Sequence, residues 1–247
     1  MSVKKEDRLY IIIPAYNEED NIKNVIEEWY PVVERYHGDG TSRLVIIDDG
    51  SRDKTFEIIK SMAESRPLLC PITKSNEGHG ATVLYGYHYA LNHHADYVFQ
   101  TDSDGQTLPE EFHQFWALRD KYAMVIGYRN KRQDGFSRVV VTKTLKLVIL
   151  ICFHVSVTDA NTPFRLMNAA ELKENIQWVP EQFNLSNVLL SVIYAKRRQP
   201  VKYLPITFRP RQGGKNSINL PKIMKIGKTA LQDFIRINKV LEQKMRG

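Results

Sequence analysis

The apolar positions of the first ~130 residues fall into short blocks separated by longer amphipathic stretches. Leu9 to Ile13 is an apolar run closed by Pro14. Leu44-Val45-Ile46-Ile47 and Tyr97-Val98-Phe99-Gln100 repeat the pattern, and Ala123 to Gly127 adds another. Runs this short, bounded by turn residues, predict buried strands. Between them, residues 19 to 36 read as an acidic amphipathic helix, and a second helix is expected from about Asp53, whose side chain suits an N-cap. Residues 80 to 94 read as helix after the Gly78-His79-Gly80 turn. Pro109-Glu110-Glu111 starts another, with proline in its tolerated first-turn place, and a further helix is expected over Phe183 to Ala195. Strand and helix alternating at this rhythm predict an α/β fold, a mostly parallel central sheet flanked by helices, with right-handed crossovers.

Residues 139 to 158 are the most apolar stretch of the chain. Uninterrupted apolar sequence runs only from Leu147 to Phe153, well short of the roughly 20 residues a membrane span needs, and Lys143 and Lys146 would lie inside the bilayer. Two readings stay open: a buried core helix, or a helix at a membrane interface with its lysines reaching the headgroups. The C-terminal stretch poses a similar choice. Ile223, Ala230, Phe234, Ile237 and Leu241 follow helical spacing, while Lys222, Lys225, Lys228, Arg236 and Lys239 crowd other faces. That face could dock on an anionic membrane or on the protein's own core.

Composition narrows the class. With 43% hydrophobic and 26% charged residues the chain is globular rather than disordered. Two cysteines, Cys70 and Cys152, form neither a metal spacing nor a disulfide framework, which suits a reducing compartment. The start Met-Ser-Val-Lys-Lys-Glu-Asp-Arg has no leader pattern, so a cytoplasmic location is expected. The net charge of +7 is unevenly spread: residues 196–247 hold 14 Lys/Arg against two acids, whereas residues 1–195 hold 21 against 26. A basic tail on an acidic body predicts a polyanionic surface as partner.

Two acidic signatures, Asp48-Asp49-Gly50-Ser51 and Asp102-Ser103-Asp104-Gly105, each follow a predicted strand. Carboxylates at the ends of neighbouring strands fall on the rim where such sheets bind ligands. Asp102 and Asp104 are one residue apart, so the chain must turn there for both to face one ion, and Gly105 makes that turn cheap. A hard divalent cation bridging to substrate phosphates would suit the pair.

Pro14-Ala15-Tyr16-Asn17-Glu18 follows the first strand, and Asn76-Glu77-Gly78-His79-Gly80 lies between the acidic signatures. With Asp102-Ser103-Asp104-Gly105-Gln106, these motifs in this order resemble the inverting family 2 glycosyltransferases, over at least residues 8 to 217. The resemblance implies the GT-A (nucleotide-diphospho-sugar transferase) fold. It also implies a catalytic domain over residues 1–218, with a nucleotide-sugar half to about 130 and an acceptor half over about 131–218. The basic amphipathic helix would occupy 219–247. On the donor side, Pro14, Tyr16, Glu18, Asp48, Asp49, Asn76, Gly78, Gly80, Asp102 and Lys215 would form the nucleotide-binding set. Asp102, Asp104 and Gln106 resemble the metal-binding run of the dolichyl-phosphate mannosyltransferase branch, and Mg²⁺ or Mn²⁺ there would neutralise charge on the departing diphosphate.

On the acceptor side, Arg129, Arg138 and Thr142 match positions that grip the acceptor phosphate in polyprenyl-phosphate glycosyltransferases. Arg138 and Thr142, four apart, would share a helix face. Thr158-Asp159-Ala160-Asn161-Thr162-Pro163-Phe164-Arg165 resembles the family's Asp-x-x-(Ser/Thr)-Gly-Phe-(Arg/Lys) strand, with Pro163 where glycine is usual, and puts Asp159 near the acceptor. Arg211 and Lys215, in a loop with Gly213 and Gly214, would close over the diphosphate. The expected catalytic set is therefore Asp102, Asp104, Arg129, Arg138 and Arg211.

The expected reaction moves a sugar from a UDP- or GDP-sugar to dolichyl or undecaprenyl phosphate, with the protein peripheral on the cytoplasmic membrane face. The alternative acceptor is a saccharide hydroxyl, which needs a carboxylate base; Glu171, Glu174 and Glu181 are candidates, Glu181 the best placed, and Asp159 is a fourth. A nucleic-acid-binding module is disfavoured, because acids in the site would repel a phosphate backbone. The oligomeric state is left open, a homo-oligomer included.

Overall fold

The computed structural model describes residues 6–129, 136–181, 183–210, 231 and 233–243, with side chains of the helix at 136–153 described from residue 144. Among these residues the strands β1 (Leu9–Ala15), β2 (Arg43–Asp48), β3 (Leu69–Thr73), β4 (Tyr97–Gln100), β5 (Met124–Arg129), β6 (Arg165–Asn168) and β7 (Val201–Ile206) form one sheet in the order β3-β2-β1-β4-β6-β5-β7. The pairs β1–β2, β1–β4, β2–β3 and β5–β7 are parallel, while β6 runs antiparallel to both β4 and β5.

The helices are α1 (Ile22–Arg35), α2 (Thr55–Ala63), α3 (His79–Asn92), α4 (Phe112–Trp116, after a single 3₁₀ turn Pro109–Glu111), α5 (Phe136–Phe153), α6 (Ala169–Ile176) and α7 (Ser186–Lys196). One core lies on the sheet face that packs α3, α5, α6 and α7, with Ile12, Val45, Val98 and Ile126 from the strands. The other joins α1 and α4 to Ile11, Ile13, Leu44, Ile46 and Phe99. Alternate residues of one strand thus feed opposite cores, which is why these strands are apolar throughout rather than alternating.

Pro14 was expected to end the first strand, yet it lies within β1, in register with Ile47. The peptide groups of alternate residues of β1 face β2 and β4 in turn, and Thr101 N–H donates to Ile12 O from the β4 side. Pro14 therefore faces the side where β4 has already ended, at Gln100 opposite Ile12. The next rung of the ladder would run from the N–H of residue 14 to Thr101 O, so a proline here is where the β1–β4 pairing stops. The edge strands β3 and β7 carry Pro71 and Pro205 and are mostly half-buried.

The C-terminal helical stretch 233–243 resolves its choice in part. Phe234, Ile237 and Leu241 are buried, with the Phe234 ring 5.3 Å from Phe153 and 5.9 Å from Phe183. That face is spent on the protein's own core. Lys196 reinforces the contact, its Nζ donating to Asn238 Oδ1 at 2.7 Å.

Candidate active site at the sheet rim

The parallel strands β1, β2, β3 and β4 end at one rim, where the predicted motifs converge. At the end of β1 the chain turns outward, leaving Tyr16 43% exposed. Glu18 turns inward and starts α1: its carbonyl accepts from Asn21 N and Ile22 N, its own N–H donates to Thr55 Oγ1 at 2.8 Å, and its carboxylate accepts from Asn21 Nδ2. Glu18 thus fastens α1 to α2.

The two aspartates ending β2 do different work. Asp48 accepts from Thr73 Oγ1 at 2.7 Å and Ser51 N–H at 3.2 Å, joining β2 to β3. Asp49 organises the Asn76-to-Gly80 motif. Its Oδ1 accepts from Lys74 Nζ at 2.8 Å and Glu77 N–H at 3.0 Å, and its Oδ2 accepts from Gly78 N–H at 2.9 Å. Asn76 Nδ2 donates to the Asp49 carbonyl at 2.8 Å. Burial alone would push the Asp49 carboxyl up. The Lys74 ammonium and the backbone donors outweigh it and hold the carboxyl below its usual range. Both oxygens are engaged by the protein's own loop.

Gly80, expected to allow close approach of backbone, does so toward this chain: a Cβ there would stand 2.3 Å from Phe183 O and 2.7 Å from Asn184 O. The segment before α7 is thereby pressed against the start of α3.

Beyond β4 lies the acidic turn. Gly105 takes φ +67°, and a hydrogen bond between the Thr101 and Thr107 hydroxyls at 2.7 Å closes the loop beneath it. Asp104 Oδ1 accepts from Gln106 N–H at 3.1 Å. Among the described residues Asp102 Oδ1 is buried with no hydrogen-bond partner; His79 Nε2, at the start of α3, stands 3.8 Å away. Burial holds the Asp102 carboxyl above its usual range, opposed by His79, Arg129 and Arg165 and assisted by Asp104. A carboxylate oxygen left without a hydrogen bond beside a second acid leaves room for a further positive partner. The pair fits a divalent ion that completes its shell from substrate oxygens. Among the described residues no group of three or more His, Cys, Asp or Glu could hold an ion unaided. Gln106 spends its amide N–H on Arg209 O, at 3.1 Å, so its side chain is tied to the segment beyond β7.

Arg129, at the end of β5, lays its guanidinium 3.7 Å from the centre of the Phe208 ring. Asp159 is buried, as is Arg165, which faces Gln100 across the β4–β6 ladder. Arg165 donates to the carbonyls of Ala160 (3.1 Å), Thr162 (2.7 and 3.1 Å) and Asn187 (3.1 Å), pinning the Asp159-to-Phe164 segment to α7. The candidate bases separate. Since β6 runs antiparallel, Asn168 pairs with Tyr97 at the start of β4, so Glu171 and Glu174 in α6 lie at the far end of the sheet. Glu171 is bonded there to Gln199. Glu181 is exposed, three residues before the Asn184 that abuts Gly80 at the rim. Arg211 and Lys215, and the side chains of Arg138 and Thr142 within α5, lie outside the described residues.

Lys74, Arg165, and the pair Glu28 and Arg209 are site-shaping residues without an assigned role in the sequence reading. Arg165 stood at the basic end of its motif, and Arg209 in the Phe208-to-Ser217 run that resembles the family's basic loop.

Residues 10–176 match the family model described as Glycosyl transferase family 2. The chain belongs to that family. This family 2 glycosyltransferase is 28% identical, over 67% of its length and 71% of the relative's, to a UDP-N-acetylglucosamine--dolichyl-phosphate N-acetylglucosaminyltransferase of Methanococcus voltae. A dolichyl-phosphate beta-glucosyltransferase of Trichomonas vaginalis is 26% identical over 92% of this chain and 73% of its own. An undecaprenyl-phosphate 4-deoxy-4-formamido-L-arabinose transferase of Pseudomonas fluorescens is 29% identical over 60% of this chain, a match that spans 43% of that longer protein. Among solved structures, mannosyl-3-phosphoglycerate synthase from Rubrobacter xylanophilus matches with TM-score 0.62 at 15% identity, covering 97% of this transferase and 76% of that chain. S. aureus TarS 1-349 in complex with UDP-GlcNAc matches with TM-score 0.60 at 18% identity, covering 89% and 65%. These likenesses establish the shared GT-A fold.

Proposed function

We propose that this glycosyltransferase moves a sugar from a UDP- or GDP-sugar to a polyprenyl phosphate, inverting the anomeric centre, with Mg²⁺ or Mn²⁺ held at the Asp102–Asp104 turn. The observation that carries the donor side is the buried Oδ1 of Asp102, without a hydrogen-bond partner among the described residues, beside Asp104 at the end of the strand next to β1. The ion would supply positive charge to the diphosphate as it departs. The acceptor reading draws on the three relatives above, whose names specify dolichyl or undecaprenyl phosphate. It also draws on Arg129, which places a guanidinium at the end of β5, on the rim that bears Asp102.

In the reaction an acceptor phosphate oxygen bonds to C1 of the sugar while the C1–O bond to the diphosphate breaks and the nucleoside diphosphate departs. The acceptor oxygen is already anionic, so no proton has to be removed. What the protein must supply is alignment of two anions that otherwise repel. Tyr16 would cover the base over the loop that Asp49 organises, Arg129 and Arg138 with Thr142 would hold the acceptor phosphate, and Arg211 and Lys215 would close on the diphosphate.

A polyprenyl tail stays in a bilayer, so the protein must reach one. No described helix is long and apolar enough to cross a membrane. In α5, however, Leu147, Leu150 and Ile151 are more than half exposed on one face, while Ile149, Cys152 and Phe153 are buried on the other. The outer face, with exposed Lys146 beside it, suits a helix lying in the interface of the cytoplasmic leaflet. The exposed Glu181 on the rim side keeps a second acceptor in play, a saccharide hydroxyl with Glu181 as base.

The test is transfer by purified protein with Mn²⁺ or Mg²⁺, a panel of radiolabelled UDP- and GDP-sugars and a short polyprenyl phosphate. Label should enter the organic phase and be lost in Asp104→Ala and Arg138→Ala. Metal-dependent donor hydrolysis without lipid label would move the acceptor to a saccharide, and Glu181→Gln would then abolish transfer to it.

A further inference from the structure

The segment that leaves β7 is fastened to the acidic turn at more points than a connecting strand requires. Thr207 N–H donates to both carboxylate oxygens of Glu111, at 3.0 Å each. Phe208 forms an isolated antiparallel bridge with Thr107. Arg209 N–H donates to Gln106 O at 2.8 Å, and the Gln106 side chain returns a bond to Arg209 O. The Arg209 guanidinium then takes both oxygens of Glu28 in α1, at 3.0 and 2.6 Å, and donates to Thr107 O at 3.2 Å. On its other side, Phe208 carries the guanidinium of Arg129.

These contacts join two regions with different proposed tasks. The acidic turn belongs to the donor and its ion; Arg129 belongs to the acceptor phosphate. In-line transfer demands that the two be held in a fixed relation, because a misplacement of about 1 Å can cost about a hundredfold. Thr107 and Phe208 bridge that gap directly. The planar guanidinium of Arg209 fits a carboxylate fork, which a lysine ammonium cannot reproduce.

We propose that Arg209, oriented by Glu28, is a positioning residue for the transfer reaction: it locks the Asp102-to-Gln106 turn to Phe208 and thereby sets the acidic pair against Arg129. The idea rests on the transfer reading above for its kinetic consequence, but the clasp itself can be observed without activity.

Glu28→Gln, Arg209→Lys, Arg209→Ala and the Glu28→Gln/Arg209→Ala double variant would be compared with the wild-type chain. Readouts are transfer kinetics, thermal melting and peptide-level amide hydrogen exchange. Each single variant should lower kcat for transfer about tenfold with much smaller changes in either KM, and should speed exchange across residues 103–107 while leaving α3 and α7 protected. The double variant should be no worse than Arg209→Ala, since the two residues act as one unit. Arg209→Lys should fail to restore the rate, because charge without the planar fork does not hold the turn. Wild-type exchange at 103–107 in all variants would overturn the proposal. So would activity falling only in step with melting temperature and with exchange raised throughout the protein. An inactive wild-type protein would sink the transfer reading instead, and the exchange rates would still decide the clasp.

Discussion

Asp49 shows how one residue can shape a site. It is 3% exposed, and its two oxygens collect the ammonium of Lys74 and two backbone N–H groups that would otherwise lack partners at the rim. Its carboxyl is held below the ordinary value of 3.8. A group with a depressed folded pKa adds stability that is present in full above the unfolded value and disappears as pH falls through the folded one. Asp49→Asn should therefore lower stability by about 1–3 kcal/mol at neutral pH. The gap to wild type should close below about pH 4, as unfolding curves across pH would show. Equal destabilisation at every pH would count against this account. The acidic pair Asp102 and Asp104 was legible in the sequence, because an apolar run, two acids and a glycine are all local. Lys74 was not: its carboxylate partner is 25 residues away. Arg209 reaches Glu28 across 181 residues, a pairing that no local pattern encodes.

At the scale of elements, α5 is the unusual one. Its buried residues Ile149, Cys152 and Phe153 and its exposed residues Leu147, Leu150 and Ile151 lie on opposite faces, so periodicity could not separate a core helix from an interfacial one. The buried face bears out the core reading, and the exposed face leaves the interfacial one to be tested. If the outer face meets lipid, Leu150→Glu with Ile151→Glu should cut co-sedimentation with liposomes several-fold. Melting temperature should change little, since neither side chain packs in the core. Unchanged sedimentation would assign the face to another partner. The edge strands β3 and β7 escaped the sequence reading for a related reason. Half-buried and interrupted by Pro71 and Pro205, they lack the continuous apolar runs that mark β1, β2 and β4. Their place in the sheet is set by neighbours rather than by their own pattern.

Taken whole, the molecule divides its charge, with 14 Lys/Arg and two acids in residues 196–247 against an acidic remainder. Attraction of that region to anionic lipid is screened within about 10 Å at 0.1 M salt. Association with phosphatidylserine-containing liposomes should weaken steeply as salt rises from about 0.05 to 0.5 M, leaving the apolar part behind. Binding indifferent to salt would remove the basic region from the contact. The alternating strands and helices of the first half made the parallel sheet predictable. The reversal of β6 was not, because direction is set by where a strand returns, not by its residues.

That reversal also bears on how the chain is made. Strands β1 to β4 are all complete by Gln100, yet the outer edge of β4 is covered only when Arg165–Asn168 arrives. During synthesis the nascent sheet therefore carries an open, apolar edge for the time it takes to add the intervening chain. Such an edge is a template for pairing with a neighbouring chain, so a ribosome-bound intermediate with these four strands already paired would be more open to misassembly than the finished enzyme.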